Sequence, residues 1–380
     1  MRIVRIATVP FFVLHHLEGQ IRAAIAAGHE VFIVTSPGEG AGRLGALGVA
    51  GVALIDIPRE IAPLSDCVAL IRLTAALARL KPDLVHSATP KAGLLAAIAG
   101  WLCRVRVRIH TFTGQAWAER RGAVRFLGRL ADRIILGLNT RCYADSASQR
   151  DFLVAERVAS PESLKVLGSG SVAGVDLRRF DPERLRGPAA EARASLGIPP
   201  GMRTIVFVGR MTRDKGVAEL VSAFGKLRGA VLVLVGPQEP ERDPLPPEIL
   251  EEIRRNPGIR ALGYRPEPER YIAMADVLCL PSYREGFGIV VIEAAALGVP
   301  CVGTDIVGLR DAVLDGETGV LVPPKDVDAL AAALGSLLDD EARRGRLGAA
   351  ARRRALREFD ARAVIGQLLE EYAALAQSRA

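Results

Sequence analysis

Long apolar runs are missing from this 380-residue chain. The longest, such as "LLAAIAGWLC" from Leu94 to Cys103, fall well short of the roughly 20 residues that cross a bilayer. No spanning helix is therefore expected. The opening "MRIVRIATVPFFVLHHLEG" has Arg5 and Pro10 inside its apolar part and no small-x-small site after it, so it reads as a buried strand and its loop rather than a leader. Paired cysteines are missing too. Cys67, Cys103, Cys142, Cys279 and Cys301 are odd in number and scattered, with no CxxC, which argues against a disulfide framework or a cysteine metal site and for reduced thiols in a cytoplasm. Aromatics are only 5% of residues and do not alternate with the arginines, and no nucleic-acid motif accompanies them, so nucleic acid is not an expected partner. No repeat of 20 to 50 residues is visible, which excludes a solenoid.

What is present is the composition of a folded protein, 49% apolar and 24% charged, in a chain long enough for two cores. The net charge of +7 is unevenly placed: up to residue 195 there are 26 Lys+Arg against 17 Asp+Glu, and beyond it 24 against 26. The first half is therefore the one expected to meet an anionic surface or a phosphate-bearing molecule.

Short β-branched runs alternate with Ala/Leu-rich helical stretches, the pattern of βαβ units and parallel sheets covered on both faces. Six such runs fall in the first half, from "RIVRIATV" to "RCYADS". Six more fall in the second, from "RTIVFVG" to "GVLVPP". The fold class is thus α/β, with two Rossmann-like α/β/α domains in tandem. Proline, glycine and charge cluster in "DPERLRGPAAEARASLGIPPGMRT", which sets expected boundaries at 1–195 and 196–360. Residues 361–380 form a last helix expected to cross back onto the first domain.

In such sheets ligands bind beyond the carboxyl ends of the strands. In "CLPSYREGFGIVVIEAAALG" a strand ends near Pro281, a loop carries Glu285, Gly286, Phe287 and Gly288, and a helix begins near Ile289. The glycines let backbone approach a ligand, and the helix start offers N–H groups to a phosphate. Glu293 lies about one turn further on. The two carboxylates thus flank an anion site, where they can accept from hydroxyls on either side of a diphosphate, as a sugar nucleotide provides. Helix-dipole compensation is the simpler reading of an acid at this place, and a glycosidase acid/nucleophile pair is a third. In "VFVGRMTRDKGVAELVSAF" a strand runs out at Gly209, Arg210 and Lys215 occupy the loop, and a helix follows Gly216. A guanidinium and an ammonium there can clamp a diphosphate and neutralise a departing nucleotide without a metal.

The array "GR…DKG", "LPSYREGFGIVVIEAAALGVPCVGTDIVGLRDAV" and "DGETGVLVPPKDVDAL" resembles the retaining nucleotide-sugar glycosyltransferases of family four, whose core motif is Glu-x7-Glu, here Glu285 and Glu293. The resemblance runs from about Thr204 to Asp339. "HSATPKAGLLAAIAG" and "VLGSGSVAGVDLRRF" are similar, more loosely, to the branch that extends polyprenyl-diphosphate-linked saccharides in bacterial cell-surface glycan synthesis. The resemblance implies the GT-B architecture, two such domains facing across a cleft, the first binding acceptor and the second a UDP- or GDP-sugar. It implies that Arg210 and Lys215 bind the diphosphate, Glu285 the transferred sugar and Glu293 the ribose. The amides of Phe287, Gly288, Ile289 and Val290 would line sugar and phosphates, with Gly209 and Gly286 in the same loops and Tyr264 and Arg265 near the base. No metal and no cofactor are expected. Placement is expected in the cytoplasm, peripheral at the inner membrane. A nucleotide-sugar epimerase on the same fold, and a silent nucleotide-sugar-binding subunit, remain the alternatives.

Many members of that family have a histidine directly before a glycine at a first-domain strand end. This chain has Thr113 before Gly114, and the nearest histidine, His110, would face differently on a regular strand. His110 is carried as the catalytic candidate in its place, against the alternative of a packing residue. His15, His16 and Gly19, in the loop after the first strand, and Gly114 are candidates for acceptor or phosphate contact, with a helix entry stapled by apolar residues as the alternative. Arg121, Arg125, Arg129 and Arg133 recur every four residues beside an apolar face and read either as a solvated stripe or as a contact for anionic headgroups. "GSGSVAG" lacks a following apolar helix, so it is no dinucleotide loop, and Asp326 in "DVD" reads as a helix cap rather than a metal ligand.

Overall fold

A computed structural model describes residues 1–60, 62–241 and 243–377. The chain divides into two compact units, Met1–Ala173 joined by the chain end from Ala361, and Gly174–Asp360. Among the described residues the first unit holds strands β1 (Arg2–Ile6), β2 (Glu30–Thr35), β3 (Gly51–Leu54), β4 (Leu84–Ala88), β5 (Val107–Phe112), β6 (Arg141–Ala144) and β7 (Leu164–Val166). They form one parallel sheet in the order β3-β2-β1-β4-β5-β6-β7. The second unit holds β8 (Arg203–Val208), β9 (Ala230–Val235), β10 (Ile259–Ala261), β11 (Val277–Leu280), β12 (Cys301–Thr304) and β13 (Gly319–Val322), in the order β10-β9-β8-β11-β12-β13. All of its pairings are parallel.

The central strands are buried on both faces, as their continuous apolar runs require. Val4, Ile6 and Val85 meet Leu73, Leu77, Leu95 and Ala96 from the covering helices of the first unit. In the second unit Ile205, Phe207, Leu278 and Leu280 meet Leu220, Ile292 and Leu334. The strand β7 escaped the sequence reading because three residues, "LKV", give no period to detect. No described helix is long and apolar enough to cross a membrane.

The boundary lies about twenty residues before the expected one. Pro182–Ser195 is a helix of the second unit, capped by Asp181, whose carboxylate accepts from the amides of Glu183 at 2.8 Å and Arg184 at 3.3 Å. Its Ala189 and Ala192 are buried against Val206, Val231 and Val233. Gly187 and Pro188, which read as linker, lie inside this helix. The helix Ala361–Gln377 belongs to the first unit. There the buried Tyr372 hydroxyl accepts from Arg5 Nη1 at 2.7 Å and meets His86 Nδ1 at 2.6 Å.

Candidate functional site

In the second sheet the chain leaves β8 toward β9 on one side and leaves β11 toward β12 on the other. The connections diverge, and the carboxyl ends of β8 and β11 flank the crevice where open α/β sheets bind ligands. Both motifs singled out in the sequence fall there.

The loop after β8 is fixed by backbone bonds from Gly209 N–H to Val235 O at 2.9 Å and from Met211 N–H to Pro237 O at 2.8 Å. It then tightens into a 3₁₀ turn, Arg213–Lys215, and ends at Gly216 with φ of 68°. A Cβ on Gly216 would stand 2.0 Å from Pro281 O, so only glycine lets this loop touch the end of β11. Tyr283 N–H donates to Asp214 O at 2.9 Å, and the Arg284 guanidinium reaches the Asp214 carboxylate at 3.2 Å. The two loops are thereby one structure.

Within it Lys215 Nζ donates to Glu285 Oε1 at 2.5 Å, and Ser282 Oγ donates to the same oxygen at 2.8 Å. The side chains of Lys215 and Glu285 are only 17% and 13% exposed, so the pair is screened weakly by water. Arg210 lies between Glu239 at 2.8 Å and Asp214 at 3.5 Å, and Glu285 also contributes to its field. Partial burial opposes its charge, but those carboxylates outweigh it and hold the guanidinium above its ordinary pKa. Asp214 is held below the usual carboxylate range: burial works against its charge, and the Thr212 hydroxyl bond with Arg210, Lys215 and Arg284 outweighs that.

After Glu285 the chain passes the buried Phe287 and turns at Gly288, whose φ is 91°. Gly288 caps the helix Ile289–Ala296 without a side-chain hydrogen bond, and no acidic residue lies in the first turn. The start of this helix therefore keeps its positive end. Ile289 and Val290 form that first turn. Glu293 follows, and its withdrawal from water pushes the carboxyl up to about 7, with Arg179 pulling it down and Glu269 pushing it up. Arg179 and Glu269 are themselves paired at 2.7 Å. Glu285 and Glu293 thus sit in different charge environments, one against a lysine and the other beside an Arg–Glu pair. Tyr264 and Arg265 are exposed in the loop after β10. That loop is joined to the one after β9 by the Gly236 N–H bond to Gly263 O at 2.9 Å.

The structure thus gathers Gly209, Arg210, Lys215, Glu285, Gly286, Phe287, Gly288, Ile289, Val290 and Glu293 on one edge. Sequence reasoning missed Arg179, Glu269 and Ser282. Ser282 was adjacent to a recognised motif and open to discovery. Arg179 and Glu269 lie 90 residues apart in the chain, and only folding joins them.

The first-unit candidates fare differently. His110 is corrected. It lies within β5, 1% exposed, with Nδ1 at 3.0 Å from Ser87 Oγ and its ring edge-on to Phe112. A Cβ on Gly93 would be 2.3 Å from its ring, and burial drives its pKa down to about 3. His110 is packed in the core of the first unit, where withdrawal from water favours its neutral form. Gly19 is also better explained by packing, since an added Cβ would meet the Ile365 side chain of the last helix at 3.1 Å. His15 stacks on Phe11 with centroids 3.8 Å apart, and His16 lies against Phe12 at 4.9 Å, in a π-helical turn Val13–Leu17. Gly114 follows β5 with φ of 114°. At the switch point between β1 and β4, Thr8 Oγ1 meets Thr89 Oγ1 at 2.7 Å, and Thr89 holds a φ of 71°. Nothing in the residue pattern around Thr89 signals that strain.

Three arginines of the stripe are engaged by the neighbouring Glu156–Arg157 segment, while Arg121 is exposed. Arg125 pairs with Glu156 at 2.7 Å, Arg129 donates to Glu156 O, and Arg133 donates to Arg157 O at 2.8 Å. Asp326 caps the helix Val327–Asp339 by accepting from Ala329 N–H at 2.9 Å. Among the described residues no group of three His, Cys, Asp or Glu is placed to hold a metal ion.

Residues 189–354, which include both loops, match the family described as glycosyl transferases group 1, and residues 14–170 match a glycosyl transferase 4-like domain. Over 360 residues the chain is 29% identical to the capsular polysaccharide biosynthesis glycosyltransferase CapM of Staphylococcus aureus, covering 94% of this chain and 93% of that protein. It is 31% identical over 323 residues to a D-inositol 3-phosphate glycosyltransferase of Corynebacterium diphtheriae, covering 79% and 72%. The crystal structure of Anabaena Alr3699/HepE in complex with UDP superposes with a TM-score of 0.80 at 19% identity, over 98% of this chain and 100% of that one. That likeness establishes the GT-B fold.

Proposed function

This chain belongs to the group 1 glycosyl transferases, and on that premise we propose that it moves a hexose from a UDP-sugar, or less readily a GDP-sugar, to a hydroxyl of a lipid-diphosphate-linked saccharide. The observation that carries the donor half is the joined pair of loops at the β8/β11 switch point. It presents Arg210, Lys215 and an uncapped helix start beside one another. Arg210 and Lys215 would hold the diphosphate, with the amides from Phe287 to Val290 on its other side. Glu285 would accept from hydroxyls of the transferred sugar and Glu293 from the ribose, with Tyr264 and Arg265 toward the base. The bound UDP of the Anabaena relative and the capsular role of the Staphylococcus one support the donor class and the polysaccharide setting.

In the proposed step the bond from the anomeric carbon to the diphosphate oxygen breaks, its electron pair leaving with the diphosphate. The acceptor oxygen bonds the same face of that carbon, and its proton passes to the departing diphosphate. Two fixed cations would stabilise the charge that builds on the leaving group, so the reading assigns no metal. No first-unit nucleophile is assigned, consistent with the burial of His110.

The test is sugar transfer from a panel of UDP- and GDP-sugars into a lipid-diphosphate saccharide fraction, with chelator, and with Glu285→Ala as control. Chelator-resistant transfer, lost in the variant and giving the donor's own anomeric configuration, is the expected result. Wild-type rates in Arg210→Ala or Lys215→Ala would sink the reading, and donor conversion without acceptor would replace transfer by epimerisation.

A further inference from the structure

The loop that follows β9 carries three acids, Glu239, Glu241 and Asp243, among the four prolines of "GPQEPERDPLP". Prolines fix φ and remove donors, so this stretch builds neither helix nor ladder of its own, and its place is set by what it touches. Gly236 turns it, with φ of 145°. A Cβ there would stand 1.8 Å from Gly209 O, so only glycine lets the ends of β8 and β9 lie this close. Beyond that contact Met211 pairs with Gln238 in a parallel bridge, and Asp214 N–H donates to the Asp243 carboxylate at 2.8 Å. Glu239 is thereby laid against Arg210, its carboxylate accepting from Nη1 at 2.8 Å.

Three cations and three carboxylates of these loops interlock: Lys215 with Glu285, Arg284 with Asp214, and Arg210 with both Glu239 and Asp214. A diphosphate brings at least two negative charges, and a cluster whose own charges cancel attracts it weakly. Binding is favoured where one of the carboxylates gives way. Glu285 and Asp214 are tied down, Glu285 by Lys215 and Ser282, and Asp214 by the Thr212 hydroxyl at 2.5 Å besides Arg210 and Arg284. Among the described residues the Glu239 carboxylate accepts from Arg210 alone. Arg210 is 38% exposed, so an anion arriving from water meets a single bond to replace.

We propose that Glu239 is a displaceable counter-ion for Arg210. With the donor absent it neutralises the guanidinium, the donor diphosphate takes its place, and the carboxylate returns as the nucleoside diphosphate departs. The inference rests on the donor site proposed above and deepens it, by adding a positioning residue that acts through Arg210 and sets how tightly the diphosphate is held. If Glu239 served only to orient Arg210, its loss would weaken binding. Competition makes its loss tighten binding, so the sign separates the two roles. Because the competition bears on every state in which the diphosphate is bound, loss of Glu239 should lower the donor KM without raising kcat.

The experiment is calorimetry of the full chain with UDP and with GDP, for the wild type, Glu239→Gln, Glu239→Asp, Arg210→Ala, and Arg210→Ala combined with Glu239→Gln. Glu239→Gln keeps the shape and removes the charge. It should bind the nucleotide that the wild type binds about five- to tenfold more tightly, the scale of one partly exposed charge-assisted bond. Glu239→Asp keeps the competing charge and should stay within about twofold of the wild type on the same scale. In the Arg210→Ala background the gain from Glu239→Gln should vanish, as it must if the carboxylate acts through that guanidinium. Nucleotide bound by Glu239→Gln as in the wild type, or more weakly, while Arg210→Ala loses it, overturns the counter-ion and leaves the donor site standing. A gain that survives in the Arg210→Ala background also overturns it. Wild-type nucleotide affinity in Arg210→Ala, or no binding of either nucleotide by the wild type, overturns the donor site and the counter-ion together.

Discussion

Replacing Lys215 by alanine separates what holds the loops together from what the proposed chemistry uses. The ammonium is 2.5 Å from Glu285 with both side chains largely covered, and removing it leaves a carboxylate whose remaining side-chain bond is from Ser282. A charge-assisted bond in such a place is worth about 1.5 to 3 kcal/mol. The second unit should therefore melt about 3 to 12 °C lower, given roughly 2 to 4 °C per kcal/mol for a unit of this size. Replacing Glu285 by glutamine as well removes the unpaired charge, so the double variant should be more stable than the two single losses predict, with coupling of about 1.5 to 3 kcal/mol. Transfer should behave differently. If Lys215 holds the diphosphate and Glu285 the sugar, each loss costs about 10²- to 10³-fold in kcat on the scale of a lost charge-stabilising donor. The two losses in log kcat/KM should then add. The assays are urea unfolding followed by tryptophan-independent circular dichroism, and initial rates with the donor that the panel identifies. Coupling near zero in stability would refute the ion pair, and wild-type transfer in Lys215→Ala would refute the diphosphate role.

Three further outcomes follow from the same geometry. Glu293 accepts from a hydroxyl only when ionised, so with a carboxyl pushed up to about 7 the donor KM should rise as pH falls below 7, and Glu293→Gln should flatten that profile. Burial raises Asp132 to about 7 while the Trp117 indole N–H, 2.7 Å away, lowers it, leaving a folded pKa above the ordinary 3.8. The folded state then holds its proton more tightly than the unfolded one, so the contribution is full below pH 3.8 and is lost as pH rises to about 7. Asp132→Asn should remove up to about 4 kcal/mol of that pH-dependent difference, read as wild type minus variant in urea melts at several pH values. Gly216→Ala places a Cβ 2.0 Å from Pro281 O at a left-handed φ, so it should cost at least about 1 to 2 kcal/mol and separate the two loops. UDP binding measured by calorimetry should weaken in that variant while the first unit's melting stays unchanged.

The α/β class and twelve of the strands were legible because each central strand is a local run of buried β-branched residues, which needs no tertiary context to be seen. The donor-side candidates were legible for a related reason: glycines, cations and carboxylates at strand ends sit in two continuous segments, and the order of strands brings those segments together. The domain boundary was misplaced because Gly187 and Pro188 signal a break locally, whereas the capped helix around them is stabilised by burial of Ala189 and Ala192. Arg179 was invisible because its partner Glu269 is 90 residues away.

By itself, then, the sequence determined the alternation of strand and helix, the two-unit plan and the chemical character of the β8 and β11 loops, because period, length and residue type are local properties. Only the tertiary structure decided which groups face water and which face one another. It buried His110 against Gly93, set Lys215 on Glu285, and tied Arg125, Arg129 and Arg133 to the Glu156–Arg157 segment while Phe126 and Leu127 point out. Those outcomes depend on contacts between residues far apart in the chain, which the spacing along it does not encode.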